Sequence, residues 1–311
     1  MRMEAMDTVP EIEAKELAER LSMSNPPLVI DVLPEEEYQG AHVPSAVNAC
    51  VFKVSFLDDV MTLAGDRERP LVVYGSARED RASATAAEKL ARAGYTQLWD
   101  FRGGLAAWAA SGRQVDGEGT ADAGAVAPAD GVYPLELERS RIGWAGRNLL
   151  TTHYGTIKLR SGEIVVRDGR PVHGRFVIAM DSIEVADIGD AGLRVMLVRH
   201  LESDDFFNVQ RFPESEFRIE RIAPLPEAVP GSPNYEVAGL LTLRGVCQEI
   251  GFPAIISPAA DGRLAADAHF DIDRTRWGVL YGSGRFYQKL GMHLVHDHIS
   301  LELKLVTEAS K

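Results

Sequence analysis

Two hydrophobic patterns divide this chain. In the C-terminal half, apolar residues recur at every second position. Tyr235, Val237, Gly239, Leu241 and Leu243 share one face, as do Leu264, Ala266, Ala268, Phe270 and Ile272. Ile299, Leu301, Leu303 and Leu305 alternate with Ser300, Glu302 and Lys304. Phe176, Ile178 and Met180 follow the same rule. Phe217 and Ile219 do so against Arg218 and Glu220, until the pattern breaks at Arg221. Successive side chains of a strand point to opposite faces, so each run predicts a strand that is apolar on one side only. Many such strands predict an antiparallel sandwich or barrel. The N-terminal half reads differently. Leu28-Val29-Ile30 and Leu71-Val72-Val73-Tyr74 predict buried strands. Helical patterns lie at 11–21, 34–39, 81–93 and 105–110; Ala86, Ala87 and Leu90 form the apolar stripe of the third. Strands alternating with helices predict a parallel sheet covered on both faces.

Residues 114–132 are rich in Gly, Ala and Asp and hold too little apolar surface to order on their own. They predict a first domain at 1–113, a linker at 114–131 and a second domain at 132–311. A length of 311 residues fits two domains of about 150 each. Charge then removes several functions. With 46 acidic and 33 basic residues the net charge is −13, which argues against binding nucleic acid. It also argues against attraction to an anionic membrane surface. No run of about 18 apolar residues is present, so no membrane span is expected. Positions 1–10 carry Glu4 and Asp7 and no apolar stretch, unlike a secretory leader. Cys50 and Cys247 lie far apart, which predicts no disulfide framework and a reduced, cytoplasmic setting.

Three segments of the first half occur in a telling order. Val29-Ile30-Asp31-Val32 precedes Pro34-Glu35-Glu36-Glu37-Tyr38; Gly40-Ala41-His42-Val43-Pro44-Ser45-Ala46 follows; Gly103-Gly104-Leu105-Ala106-Ala107-Trp108 closes the series. Over residues 8–113 these resemble the opening strand and helix, the Gly-His-Ile-x-Gly-Ala turn and the Gly-Gly-aliphatic-x-x-Trp motif of rhodanese-like domains. Both glycines of the turn are altered. The resemblance implies sulfur transfer through a thiolate at the end of the 71–74 strand. A loop of N–H groups opening onto a helix N-terminus lowers the pKa of such a thiol. Here that position is Gly75, and the loop through Arg81 contains no cysteine. Without sulfur nothing can carry a persulfide, so sulfurtransferase activity is not expected. Ser76 is given no base by the sequence. The reading is a pseudoenzyme domain used for docking or regulation. The alternative keeps an anion-binding loop or a sulfurtransferase- or phosphatase-like activity at 75–81, with Ser76, Arg78 and Arg81 around loop N–H groups.

In the second half, residues 200–217 run from His200 through Phe206-Phe207 to Phe212-Pro213 and an alternating strand. Gly143–Arg147, His153–Ile157, Leu240–Val246, Asp273–Val279 and Tyr281–Gly284 accompany it. Together they resemble the YceI-like family over residues 132–307. The resemblance implies an eight-stranded, lipocalin-type antiparallel barrel with a short helix. It also implies binding of a polyisoprenoid or fatty-acid derivative. Alternation agrees: an eight-stranded barrel holds packed side chains or one small ligand. Trp144 shares parity with Ile142, and His153 with Gly155 and Ile157, so both face inward. Ala266 and Ala268 leave space beside Phe270. The ligand-binding candidates are Trp144, His153, Phe176, Phe206, Phe207, Phe217, Phe270 and Trp277. His153 is the polar handle among them.

Other polar residues carry less. His296 and His298 fall on the polar parity of the last strand, and His269 lies there with Asp267 and Asp271, so no metal site is expected. His200 is assigned to the C-terminus of a helix over 190–200, where a cation suits the helix dipole. No cofactor is implied. The expected function is non-catalytic carriage of a long-chain apolar ligand. A partner-binding adaptor without a small ligand is the other alternative, and association into a homodimer is left open.

Overall fold

The computed structural model describes residues 9–119, 127–259 and 261–309. The chain forms two compact units, 1–124 and 125–311.

In the first unit, strands β1 (Leu28–Asp31), β2 (Val47–Asn48), β3 (Leu71–Tyr74) and β4 (Leu98–Phe101) form a parallel sheet in the order β2-β1-β3-β4. All four residues of β3 are buried. A strand covered on both faces needs a continuous apolar run, which is why 71–74 does not alternate. The helices are α1 (Ala14–Leu21), α2 (Glu35–Gly40), α3 (Phe56–Ala64), α4 (Ala82–Arg92) and α5 (Gly104–Ala110). On one face of the sheet Ile30 and Val73 pack with Phe56 and Val60 of α3 and Ala86 and Leu90 of α4. On the other, Val29, Val72 and Tyr74 pack with Leu17 of α1 and Trp108 of α5.

Residues 114–119 stay with this unit, although the sequence reading begins the linker at 114. The Trp108 indole N–H donates to the Gln114 carbonyl at 2.7 Å. His42 and Asp116 exchange both backbone bonds, and the Glu118 and Gly119 N–H groups donate to the Gln39 and Gly40 carbonyls at 2.9 Å. Backbone bonds hold this segment, so its poverty in apolar side chains does not leave it loose. The 120–126 part of the linker lies outside the described residues.

The second unit contains β5 (Gly131–Pro134), β6 (Arg141–Arg147), β7 (Thr152–Ile157), β8 (Leu159–Arg167), β9 (Arg170–Ala179), β10 (Glu184–Val185), β11 (Glu214–Pro224), β12 (Tyr235–Leu243), β13 (Val246–Pro258), β14 (Leu264–Asp273) and β15 (His298–Val306). They form one antiparallel sheet, ordered β10-β7-β6-β15-β14-β13-β12-β11-β9-β8-β5. β7 and β8 lie near opposite ends of that order, yet only Lys158 separates them in the chain. One bent strand therefore joins the two ends of the curled sheet. Counted once, it completes a circuit of eight with β6, β9 and β11 to β15. The pairing of Leu135 with Thr307 reinforces the curl.

Helix α6 (Ala191–Glu202) lies between β10 and β11 in the chain. The Asp190 carboxylate accepts from the Leu193 N–H at 2.9 Å and starts it. Two local features fix the curl. At Gly155 the Glu184 carbonyl passes so close that a Cβ would collide with it. In β11 the register slips between Ile219 and Arg221. The bulge explains the break in alternation there: one extra residue reverses parity and twists the strand. Ile222 then packs on the inner cluster.

Candidate functional site

The inner face of the second sheet encloses a cavity of about 390 Å³. Ligand pockets generally fall between about 300 and 1,000 Å³. Its wall is apolar because each strand turns its alternate hydrophobic set inward. Phe176 of β9 and Phe217 of β11 stack at 6.4 Å. Phe217 meets Phe252 of β13 at 5.6 Å, and Phe252 stacks on Phe270 of β14 at 3.9 Å. Ala266 and Ala268 line the same wall. They pair with Leu305 and Leu303 on β15.

Seven of the eight candidate residues line this cavity: Trp144, His153, Phe176, Phe206, Phe207, Phe217 and Phe270. Trp277 does not. It is fully buried in a 3-10 turn, Arg274–Trp277, and its indole N–H donates to the Leu241 carbonyl at 2.9 Å. The chain leaves β14 at Asp273, so strand parity does not reach Trp277. It braces the turn against β12.

Polar groups gather at one end of the cavity. His153, at the start of β7, has Nδ1 2.8 Å from Asp187 Oδ2. The other oxygen of Asp187 accepts from the Tyr154 N–H at 3.0 Å. Burial pushes the Asp187 carboxyl up, but these hydrogen bonds outweigh it and hold the group below its usual range. An ionised carboxylate only accepts, so the His153 proton sits on Nδ1. In the neutral ring Nε2 is then the acceptor.

His200 also lines the cavity. Its ring packs edge-on against Phe206 at 5.0 Å and Tyr281 at 4.8 Å, with Nε2 3.3 Å from Asp205. Reading His200 as a helix terminus missed this. Its spacing from Leu197 and Leu201, both cavity-lining, was the available signal: positions i, i+3 and i+4 share a helix face. His293 and His296 line the rim too. The strand parity used to place His296 outside does not apply, because β15 begins only at His298. Arg274 was missed as well. It is 1% exposed and donates to the carbonyls of Val279, His296 and Val295 at 2.6, 3.0 and 3.1 Å. Burial draws its pKa down, and Asp297 and Asp273 oppose that. Its donors are spent on backbone, so it shapes the rim. Among the described residues no group of three or more His, Cys, Asp or Glu is placed to hold a metal ion.

In the first unit, Gly75 directly follows β3, as expected. The loop folds onto α5: the Leu105 and Ala106 N–H groups donate to the Gly75 and Ser76 carbonyls at 2.9 Å. Gly104, at φ +62°, permits this, since a Cβ there would strike the Gly75 carbonyl. Asp80 fills the loop. Its Oδ2 accepts from the Ser76 hydroxyl at 2.9 Å and the Ser76 N–H at 3.3 Å, and its Oδ1 from the Ala82 N–H at 2.8 Å. The sequence offers Ser76 no base; in the fold the Asp80 carboxylate lies within hydrogen-bond reach of its hydroxyl. Arg78 turns away to Glu11 and Glu13, at 3.2 and 3.4 Å, and Arg81 is exposed. The three residues of the suggested anion loop therefore do not converge on a common point.

A curled antiparallel sheet around an apolar cavity with a polar rim defines a lipocalin-like fold, in a chain that also contains a parallel α/β unit. The YceI-like domain family matches residues 133–307, and the rhodanese-like domain family matches residues 13–111. The chain belongs to the YceI-like family and carries a rhodanese-like domain before that domain. Solved structures similar to parts of it include Burkholderia cenocepacia BcnA, at 20% identity over 56% of this chain and 99% of that one, with a TM-score of 0.45. Another is a polyisoprenoid binding domain from Saccharophagus degradans implicated in plant cell wall breakdown, at 15% identity, 57% and 98% coverage and a TM-score of 0.43. The rhodanese-like domain of the Anabaena protein Alr3790 is similar at 28% identity, covering 39% of this chain and 87% of that one, with a TM-score of 0.31. No curated protein matches the chain.

Proposed function

We propose that the second domain carries a single long-chain apolar ligand, an isoprenoid or fatty-acid derivative, without chemical change. The observation that carries this reading is the distribution of polarity. The cavity wall is aliphatic and aromatic, and hydrogen-bonding side chains concentrate at one end. An amphiphile fits that arrangement: its chain lies along the Phe176–Phe217–Phe252–Phe270 band and its head meets His153 and His200. Membership of the YceI-like family supports the same ligand class. A buried chain gains about 0.8 kcal/mol per methylene removed from water. About a dozen carbons are enough for micromolar affinity after ordering costs are met. The rhodanese-like domain acts as a docking or regulatory module in this proposal. Gly75 offers no nucleophile, and Asp80 occupies the loop that would cradle an anion.

Filling the cavity tests the reading. Ala268→Phe adds bulk to the wall. It is expected to abolish uptake of the apolar dye N-phenyl-1-naphthylamine while the melting temperature stays nearly unchanged. Overpacking a solid core instead costs about 1–3 kcal/mol. Strong destabilisation, together with no dye uptake by the wild type, refutes a ligand cavity.

A further inference from the structure

The rim carries a feature that enclosing a ligand does not use. Three segments frame it: the 148–151 turn between β6 and β7, helix α6, and residues 281–293. Each contributes to the cavity, through Asn148, Leu197 and Tyr281 respectively. Each also turns large apolar side chains into solvent. Leu149 and Leu150 are 56% and 72% exposed, Leu193 and Met196 54% and 62%, and Phe286 and Tyr287 53% and 49%. Helix α6 has no buried residue, although its sequence AGLRVMLVRHLE is mostly apolar. A helix on a soluble domain ordinarily hides its apolar face. A concentrated exposed patch of this kind marks an interaction surface.

Charge indicates what the surface meets. Residues 148–151, helix α6 and residues 281–293 include Arg194, Arg199, Arg285 and Lys289 against a single carboxylate, Glu202 at the end of α6, in a chain of net charge −13. Arg285 is held by Asp273 and Asp297, at 2.7 and 3.1 Å. Four carboxylates border these segments: Asp204 is paired with Arg244, while Asp187, Asp190 and Asp205 hydrogen-bond to His153, the start of α6 and His200 and keep their charge. Screening over about 10 Å at 0.1 M salt makes local charge, not net charge, decide such a contact. The sequence-based objection to anionic membranes rests on net charge alone.

We infer that this apolar, cationic rim docks on a lipid bilayer bearing anionic headgroups, with the cavity opening toward the acyl layer. Apolar side chains entering the interface beside Lys and Arg are the general means of peripheral attachment. A bilayer fits better than a protein partner because the patch surrounds the mouth of an apolar cavity. A chain that passes straight from bilayer to cavity never exposes its methylenes to water. The inference rests on the carrier reading only for that direction of transfer.

Sedimentation of the full chain with vesicles tests it, using phosphatidylcholine alone and phosphatidylcholine with about one-third phosphatidylglycerol. The wild type is expected to bind the anionic vesicles about tenfold more tightly, and less so as salt is raised. Leu150→Asp combined with Met196→Asp is expected to weaken that binding at least about tenfold. Both positions are exposed, so melting and uptake of N-phenyl-1-naphthylamine from water should not change. No wild-type binding, equal binding to the two vesicle types, or a double variant that binds like the wild type each overturns the assignment. A rim that ignores vesicles but holds two copies together, with the dimer lost in the same variant, overturns it in favour of self-association. Dye uptake without vesicles tests the cavity separately, so failure of one reading is distinguishable from failure of the other.

Discussion

Asp187 decides what His153 can recognise. Because its two oxygens are divided between the Tyr154 N–H and the His153 ring, it holds a ring proton on Nδ1, and the neutral imidazole then offers Nε2 as acceptor. The head group that suits this ring is a donor, such as a hydroxyl. The carboxyl titrates below its usual range, so the arrangement strengthens the fold above the unfolded value of about 3.9 and is lost as pH falls through the lower folded value. With the carboxylate ionised, the proton it accepts sits on Nδ1. Asp187→Asn should reverse it. The amide oxygen keeps the Tyr154 N–H, and the amide nitrogen then presents hydrogens to Nδ1, which moves the ring proton to Nε2. Competition of equal-length alkanols and alkanoates against a bound dye reads this out. The wild type is expected to favour the alkanol, and the variant to shift toward the alkanoate by about tenfold, the worth of one hydrogen bond. Identical preferences in the two proteins would show that His153 does not touch the head group.

At the level of elements, the 75–81 loop is closed from within. A Cβ at Gly75 would lie 2.8 Å from Asp80 Oδ2. Gly75→Cys is therefore expected to show no thiosulfate:cyanide turnover, because the new thiol meets a carboxylate that disfavours its anion. Measurable turnover in that single variant would refute the argument; Gly75→Cys with Asp80→Ala is the combination that clears the site. How much of this was legible follows from the reach of each signal. Period two located β12, β14 and β15 and the inward set on them, and the break at Arg221 was visible as a break. That it was a bulge needed the partner strand. Helix α3 went unread in the sequence, and so did the two-residue strand β2. His200 shares a helix face with Leu197 and Leu201, but Arg274 and His296 depend on how the 274–297 segment packs, which no local period encodes. Trp277 was misplaced for the same reason.

Across the whole chain, the position of the domain boundary is a matter of hydrogen bonds. Residues 114–119 hold five of them with the first unit, counting the Trp108 indole. We propose that the two domains fold independently. A fragment of residues 1–119 should then melt several degrees above one of residues 1–113, since each lost bond is worth about 0.5–1.5 kcal/mol. Equal melting temperatures would mean that the segment contributes nothing.

The bent strand from 152 to 167 has its own consequence at this scale. It is a seam as well as a wall, because Lys158 alone links β7 to β8, which pair with different neighbours, β6 and β9. A residue inserted into the 225–234 hairpin loop lengthens a surface connection. The same residue inserted at 158 changes the register of one flank against the other and moves alternate side chains from inside to outside. Tolerance to insertion should therefore be lowest at a solvent-exposed lysine, a position that neither burial nor chemistry would single out.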